Sequence, residues 1–126
     1  MANKNKAKGT KAETKVVKYL TAFGLHAERQ ALHGNQDLGD IKVTIPNGIS
    51  FIIEVKAGQQ TANPNRAQLT EWLRQAKVEA YNADMPCFLV VVRYRRSIED
   101  ADVYLPEGKW CTWEYLKEFA ERMSDA

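Results

Sequence analysis

Gly39-Asp40-Ile41-Lys42-Val43-Thr44-Ile45-Pro46-Asn47-Gly48-Ile49-Ser50-Phe51-Ile52-Ile53-Glu54-Val55-Lys56 carries the pattern that decides the fold. Two alternating runs flank Pro46-Asn47-Gly48, which predicts a β-hairpin. A two-residue Asn-Gly loop would leave Pro46 in a strand with no N–H to donate. A three-residue loop avoids this: Pro46 opens a type I turn, Asn47 follows, and Gly48 takes the left-handed position. Ile45 then opposes Ile49, and Asp40 opposes Glu54. Ile41, Val43, Ile45, Ile49, Phe51, Ile53 and Val55 share one face; Asp40, Lys42, Thr44, Ser50, Ile52, Glu54 and Lys56 share the other.

This register sets two carboxylates side by side, with Lys56 two residues along. Like charges about 4 Å apart repel by roughly 4 kcal/mol at an effective dielectric near ~20. A proton, a nearby cation or a bound metal must offset that. A surface pair neutralised by Lys42 and Lys56 is one solution. Glu54 and Lys56, however, end a strand rich in Phe and Ile, where surface charge is not expected. A divalent cation site is the better reading, and carboxylate oxygens suit Mg²⁺, with Mn²⁺ able to substitute.

Around the hairpin the chain reads as follows. Met1 to Lys8 form a polar, lysine-rich tail, expected to be flexible. A helix is predicted from about Thr10 to Phe23, stopped by Gly24. Its apolar face holds Val16, Val17, Leu20 and Phe23, and Glu13 falls within that face at 100° per residue. A glutamate on a buried side calls for a partner or a metal. Lys8, Lys11, Lys15 and Lys18 lie opposite. Leu25 to Arg29 predicts a short edge strand, and Ala31 to Leu38 a loop with His33, Asn35 and Asp37. Asp37 is a second candidate aspartate, but Asp40 directly starts the strand that pairs with Glu54. After the hairpin, Ala57 to Asn65 is a polar loop. A helix is predicted from about Arg66 to Tyr81, capped by Asn65, with Leu69, Trp72, Leu73, Ala76 and Ala80 inward and Gln68 on the flank. Cys87 to Val92 is continuously apolar, the pattern of a strand buried on both faces. It runs into Arg93-Tyr94-Arg95-Arg96, a phosphate-contact candidate that Glu99, Asp100 and Asp102 could instead neutralise. Val103 to Leu105 predicts a strand, and Glu107-Gly108 a turn. The last helix is predicted from about Thr112 to Met123, capped by Thr112, with Trp113, Leu116, Ala120 and Met123 inward. The whole is an α/β sandwich, a mixed sheet with helices on both sides.

Gly9-Thr10, Glu13, Asp40, Glu54-Val55-Lys56 and Gln68, in this order, resemble the PD-(D/E)xK nuclease superfamily, and within it the archaeal and phage Holliday junction resolvases. The similarity spans about residues 8 to 94; Gly39 stands where the signature has proline. The resemblance implies a restriction-endonuclease-like core and a Mg²⁺-dependent endodeoxyribonuclease. It implies four-way DNA junctions as substrate, a role in DNA recombination and repair, and a homodimer whose two-fold symmetry matches the junction. Asp40 and Glu54 would hold metal, with the Val55 carbonyl as a further ligand and Glu13 completing the shell. Lys56 would act on the water or the phosphate, and Gln68 would help position them. Lys8, Lys11, Arg29, His33, Asn35, Arg66, Arg93, Arg95 and Arg96 are the candidate DNA contacts. A flap, nick or mismatch nuclease with the same core is one alternative. A non-catalytic DNA-binding subunit is another, which the intact Asp40, Glu54 and Lys56 argue against.

The length of 126 residues suits one domain over 1–126 with a single core. A balance of 18 basic against 16 acidic residues gives +2, so overall charge does not point to nucleic acid. Cys87 and Cys111 have no metal-type spacing and are expected to be reduced, in a cytoplasmic protein. No apolar run reaches membrane length, so no membrane partner is expected, and no organic cofactor. Trp72, Trp110 and Trp113 are the largest apolar candidates for a dimer interface.

Overall fold

The structure, a computed structural model, describes residues 4–30, 40–107 and 110–126, with side chains described over 11–30, 40–106 and 112–126. His33, Asn35, Asp37 and the Lys8 side chain lie outside that range. The helix α1 (Lys4–Ala22) precedes the strands β1 (His26–Arg29), β2 (Ile41–Thr44) and β3 (Ser50–Lys56). Next come the helix α2 (Arg66–Ala83), the strands β4 (Cys87–Val91), β5 (Asp102–Glu107) and β6 (Trp110–Tyr115), and the helix α3 (Leu116–Ser124). The six strands form one sheet in sequence order. All neighbours are antiparallel except β3 and β4, which run parallel. Parallel neighbours need a crossover, and α2 supplies it.

The hairpin has the expected register: Ile41 pairs with Ile53, Val43 with Phe51 and Thr44 with Ser50. Gly48 donates to the Ile45 carbonyl and adopts φ +94°, the left-handed position a three-residue loop requires. The Asn47 side chain closes the turn by accepting from the Ile49 amide. The alternation then sorts two cores. Ile41, Val43, Ile45, Phe51 and Ile53 pack with Val16 and Leu20 of α1 and with Leu116, Phe119 and Ala120 of α3. The rings of Phe51, Phe88 and Phe119 meet edge to face there. Ile52, Leu89 and Val91 pack on the opposite side against Trp72 and Ala76 of α2. β4, in the middle of the sheet, is buried along its whole length.

Four expectations need correction. α1 begins at Lys4, so most of the stretch expected to be a flexible tail is helical. Lys and Ala favour helix, and Gly9 is a single weak position rather than a stop. Ile49, assigned to the apolar face, is 58% exposed because it emerges from the turn beyond the reach of the helices. Residues 112–115 are strand, and the last helix starts only at Leu116. Aromatic and β-branched side chains favour the ladder with β5, in which Tyr104 pairs with Trp113 and Asp102 with Tyr115. Trp113 is therefore half exposed and meets the Tyr115 ring edge to face rather than lying in the core. Trp72 is buried under the sheet and is no candidate for an interface. The Trp110 side chain lies outside the described range.

Candidate active site

The site lies where β2 begins and β3 ends. Ladder pairing of the two strands starts at Ile41–Ile53, one residue short of the expected Asp40–Glu54 pair. At Asp40 the backbone slips by a residue: its N–H donates to the Ile53 carbonyl at 3.0 Å, and its own carbonyl accepts from Gln30 at 2.9 Å. The slip swings the Asp40 carboxylate across the end of β3, where Oδ2 accepts the Val55 amide at 2.8 Å. In an extended strand a residue's N–H and C=O point to the same flank. The Val55 carbonyl therefore opens on the side where Asp40 sits.

Glu54 follows Ile52 on the α2 face and is 6% exposed. Its Oε1 lies 3.4 Å from the Lys56 ammonium, itself largely covered. Glu13 comes from the other face of the sheet. The helical repeat of α1 turns it inward with Ala12 and Val16, and it reaches Asp40 by a side-chain hydrogen bond. Burial and the charge of Asp40 push the Glu13 carboxyl up to about 6, against the opposing pull of the Arg29 guanidinium. Arg29 Nη2 stands 3.6 Å from Glu13 Oε2. Asp40 thus links Glu13, above the sheet, to the end of β3 that bears Glu54 and Lys56. The carboxylates also act at a distance: burial first, then Glu79, Glu54 and Asp40, raise the pKa of the Cys87 thiol far above its ordinary value. Cys87 is buried and inert rather than nucleophilic.

Among the described residues no three His, Cys, Asp or Glu side chains converge tightly enough to hold a metal ion by themselves. The strand ends instead offer the carboxylates of Asp40 and Glu54 together with the Val55 carbonyl. This all-oxygen, negatively charged donor set fits a hard divalent cation.

The remaining candidates separate. Gln68 is half-buried in the first turn of α2, where its backbone N–H donates to the Asn65 side-chain oxygen at 2.8 Å. Arg66 is exposed at the start of the same helix. Arg93 is already engaged: its Nε lies 3.0 Å from the buried Asp102 carboxylate, and Nη1 points at the Thr61 carbonyl. Arg95 and Arg96 are exposed, with Arg95 over the Tyr94 ring. Sequence reasoning passed over Thr61; Asp102, named there as a possible neutraliser of the arginine run, does pair with Arg93. Thr61 is fully buried, and its hydroxyl lies within hydrogen-bonding distance of the Gly58 and Val92 carbonyls. Its only sequence signal is a β-branched residue in a polar loop.

A family model described as "Phage putative PDDEXK endonuclease" matches residues 4–114. The chain belongs to this family. No curated protein matches this chain. Among solved structures it is similar to Archaeoglobus fulgidus Hjc, a Holliday junction resolvase from an archaeal hyperthermophile. The identity is 16%, over 86% of this chain and 89% of that one, with a TM-score of 0.55. At that identity the likeness establishes the fold: the six-stranded mixed sheet is the restriction-endonuclease-like core. Within the described residues, no helix is long and apolar enough to cross a membrane.

Proposed function

We propose that this endonuclease is a Mg²⁺-dependent, cytoplasmic enzyme that cuts branched DNA, acting as a homodimeric Holliday junction resolvase in DNA recombination or repair. One observation carries the catalytic part: Asp40 crosses the end of β3 to the Val55 amide, meets Glu13, and adjoins the Glu54–Lys56 pair. Asp40, Glu54 and the Val55 carbonyl would hold the cation, with Glu13 beside Asp40 as an outer ligand. When bound, the cation supplies Lewis acidity toward water and the scissile phosphate. The chain's own groups do the rest. Lys56, held by Glu54, directs its ammonium to the charge that builds on the phosphate oxygens in the transition state. Glu13 adds a second negative charge beside Asp40, a repulsion that a bound cation would relieve. Arg29 keeps Glu13 in place. Gln68, in the first turn of α2, would help position the reacting groups.

The junction preference draws support from the fold shared with Hjc and from the resemblance of the motif residues. A flap or nick nuclease would use the same chemistry. The test is incubation with a four-way junction, a flap and linear duplex, in Mg²⁺ or EDTA. Paired, opposed cuts in the junction, in Mg²⁺ alone, are the expected result. Cutting of the flap with the junction untouched would overturn the resolvase assignment, and no cutting of any of the three would overturn the nuclease.

A further inference from the structure

A cavity of about 260 Å³ lies between α1 and the segment that leaves β4. Lys11 and Lys15 line it from the helix, Arg95 and Arg96 from the facing segment, and Ala57 and Gly58 form its floor. The four cations are all exposed. They come from two parts of the chain that are eighty residues apart in sequence, so neither part alone reveals the groove. The concentration of charge is local, since the chain as a whole carries only +2.

The groove adjoins the end of β3. Its floor begins at Ala57, directly after Lys56, and Val92 donates its amide to the Lys56 carbonyl at 2.8 Å. The walls are held in place by groups already committed. Arg93 is bound to buried Asp102 and directed at the Thr61 carbonyl, while Thr61 ties the Gly58 carbonyl to that of Val92. Arg95 adopts φ +61°, uncommon for a residue with a side chain, and its guanidinium lies 5.2 Å from the Tyr94 ring centroid.

We propose that this groove is a track for the phosphodiester backbone of the cut strand on one side of the scissile bond, with Lys11, Lys15, Arg95 and Arg96 contacting phosphates. Arg93 supports the track rather than touching DNA. The proposal rests on the nuclease reading and adds where the strand runs. Contacts to phosphate alone are independent of base sequence. Each phosphate neutralised contributes about 0.9 to the slope of log binding constant against log salt.

The test is fluorescence anisotropy of a labelled DNA junction and of a duplex in EDTA, titrated over a series of salt concentrations. Lys15→Ala and Arg96→Ala should each lower the salt slope by about 1 and weaken binding to any sequence alike. The double variant should lose about 2 slope units, twice the loss of either single one. Lys117→Ala, which removes an exposed charge on α3, should bind as the parent protein does. Groove variants with unchanged affinity and slope, or a Lys117→Ala loss of the same size, would overturn the track. Thermal melts of these exposed-site variants should match the parent. Cleavage in Mg²⁺ is read separately: a parent protein that binds through the groove but never cuts supports the track and overturns the nuclease. One that cuts while its groove variants bind normally overturns the track alone.

Discussion

Glu13→Gln separates a metal-site carboxylate from an ordinary helix charge. In the folded, metal-free protein the Glu13 carboxyl sits at about 6, raised from 4.5 by burial and by Asp40. Ionising it at neutral pH costs about 2 kcal/mol relative to the unfolded chain, at 1.36 kcal/mol per pH unit. Water reaches part of the group, so roughly half of that, about 1 kcal/mol, should survive screening. Below pH 4.5 the carboxyl is protonated in both states and contributes nothing. Between 4.5 and 6 the unfolded chain loses its proton first, so the folded state binds more protons and stability falls as pH rises. Above 6 the full penalty applies. A glutamine carries no such penalty and can still hydrogen-bond Asp40. Thermal melts in EDTA should therefore show the variant about 3–4 °C more stable at pH 8, with the gain vanishing by about pH 4.5. In Mg²⁺ the same variant should cut roughly 10- to 100-fold more slowly, the usual cost of losing an outer ligand. A helix-end charge predicts the opposite sign in EDTA, a loss of about 0.3–1 kcal/mol. A variant less stable at pH 8 that cuts at the parent rate would refute the reasoning.

Asp40→Asn and Glu54→Gln should each abolish cleavage while DNA binding stays equal or tightens, because a negative charge facing phosphate is removed; gel-shift and cleavage assays on the same preparations check this, and near-normal turnover by either variant would count against the site. Arg93→Ala should destabilise the protein by about 2–3 kcal/mol in urea melts, since it leaves the buried Asp102 carboxylate without its guanidinium; a loss under about 0.5 kcal/mol would show that water replaces the guanidinium at no cost. Sedimentation should find a homodimer, either free or on a junction. A monomer in both would contradict paired cutting.

The hairpin could be read from sequence because its determinants are local: strict alternation on both sides of a loop that only one register accommodates. α2 was equally legible, since Asn65 caps it and Leu69, Trp72, Leu73 and Ala76 repeat at helical spacing. β6 was not. Trp113, Leu116 and Ala120 also fall at helical spacing, and the deciding factor, pairing with β5, is a contact between distant strands. Glu13 was legible as an inward-facing glutamate, but its approach from the face opposite Glu54, and its meeting with Asp40 at the strand end, depend on how α1 crosses the sheet. The backbone slip that turns Asp40 toward Val55 has no sequence signal beyond the end of the alternation. Arg93 and Asp102 looked like solvated charges because a buried ion pair between a strand end and its neighbour cannot be told from two surface charges by composition. The basic groove is the same case: Lys15 and Arg96 become neighbours only through the fold.

Calorimetric titration of Mn²⁺ into the DNA-free protein tests most directly the proposed cation site of Asp40 and Glu54. The parent protein should bind Mn²⁺ with a heat of binding that Mg²⁺ competes away. Asp40→Asn and Glu54→Gln, folded by circular dichroism, should show none. Variants that bind Mn²⁺ as tightly as the parent would contradict the site.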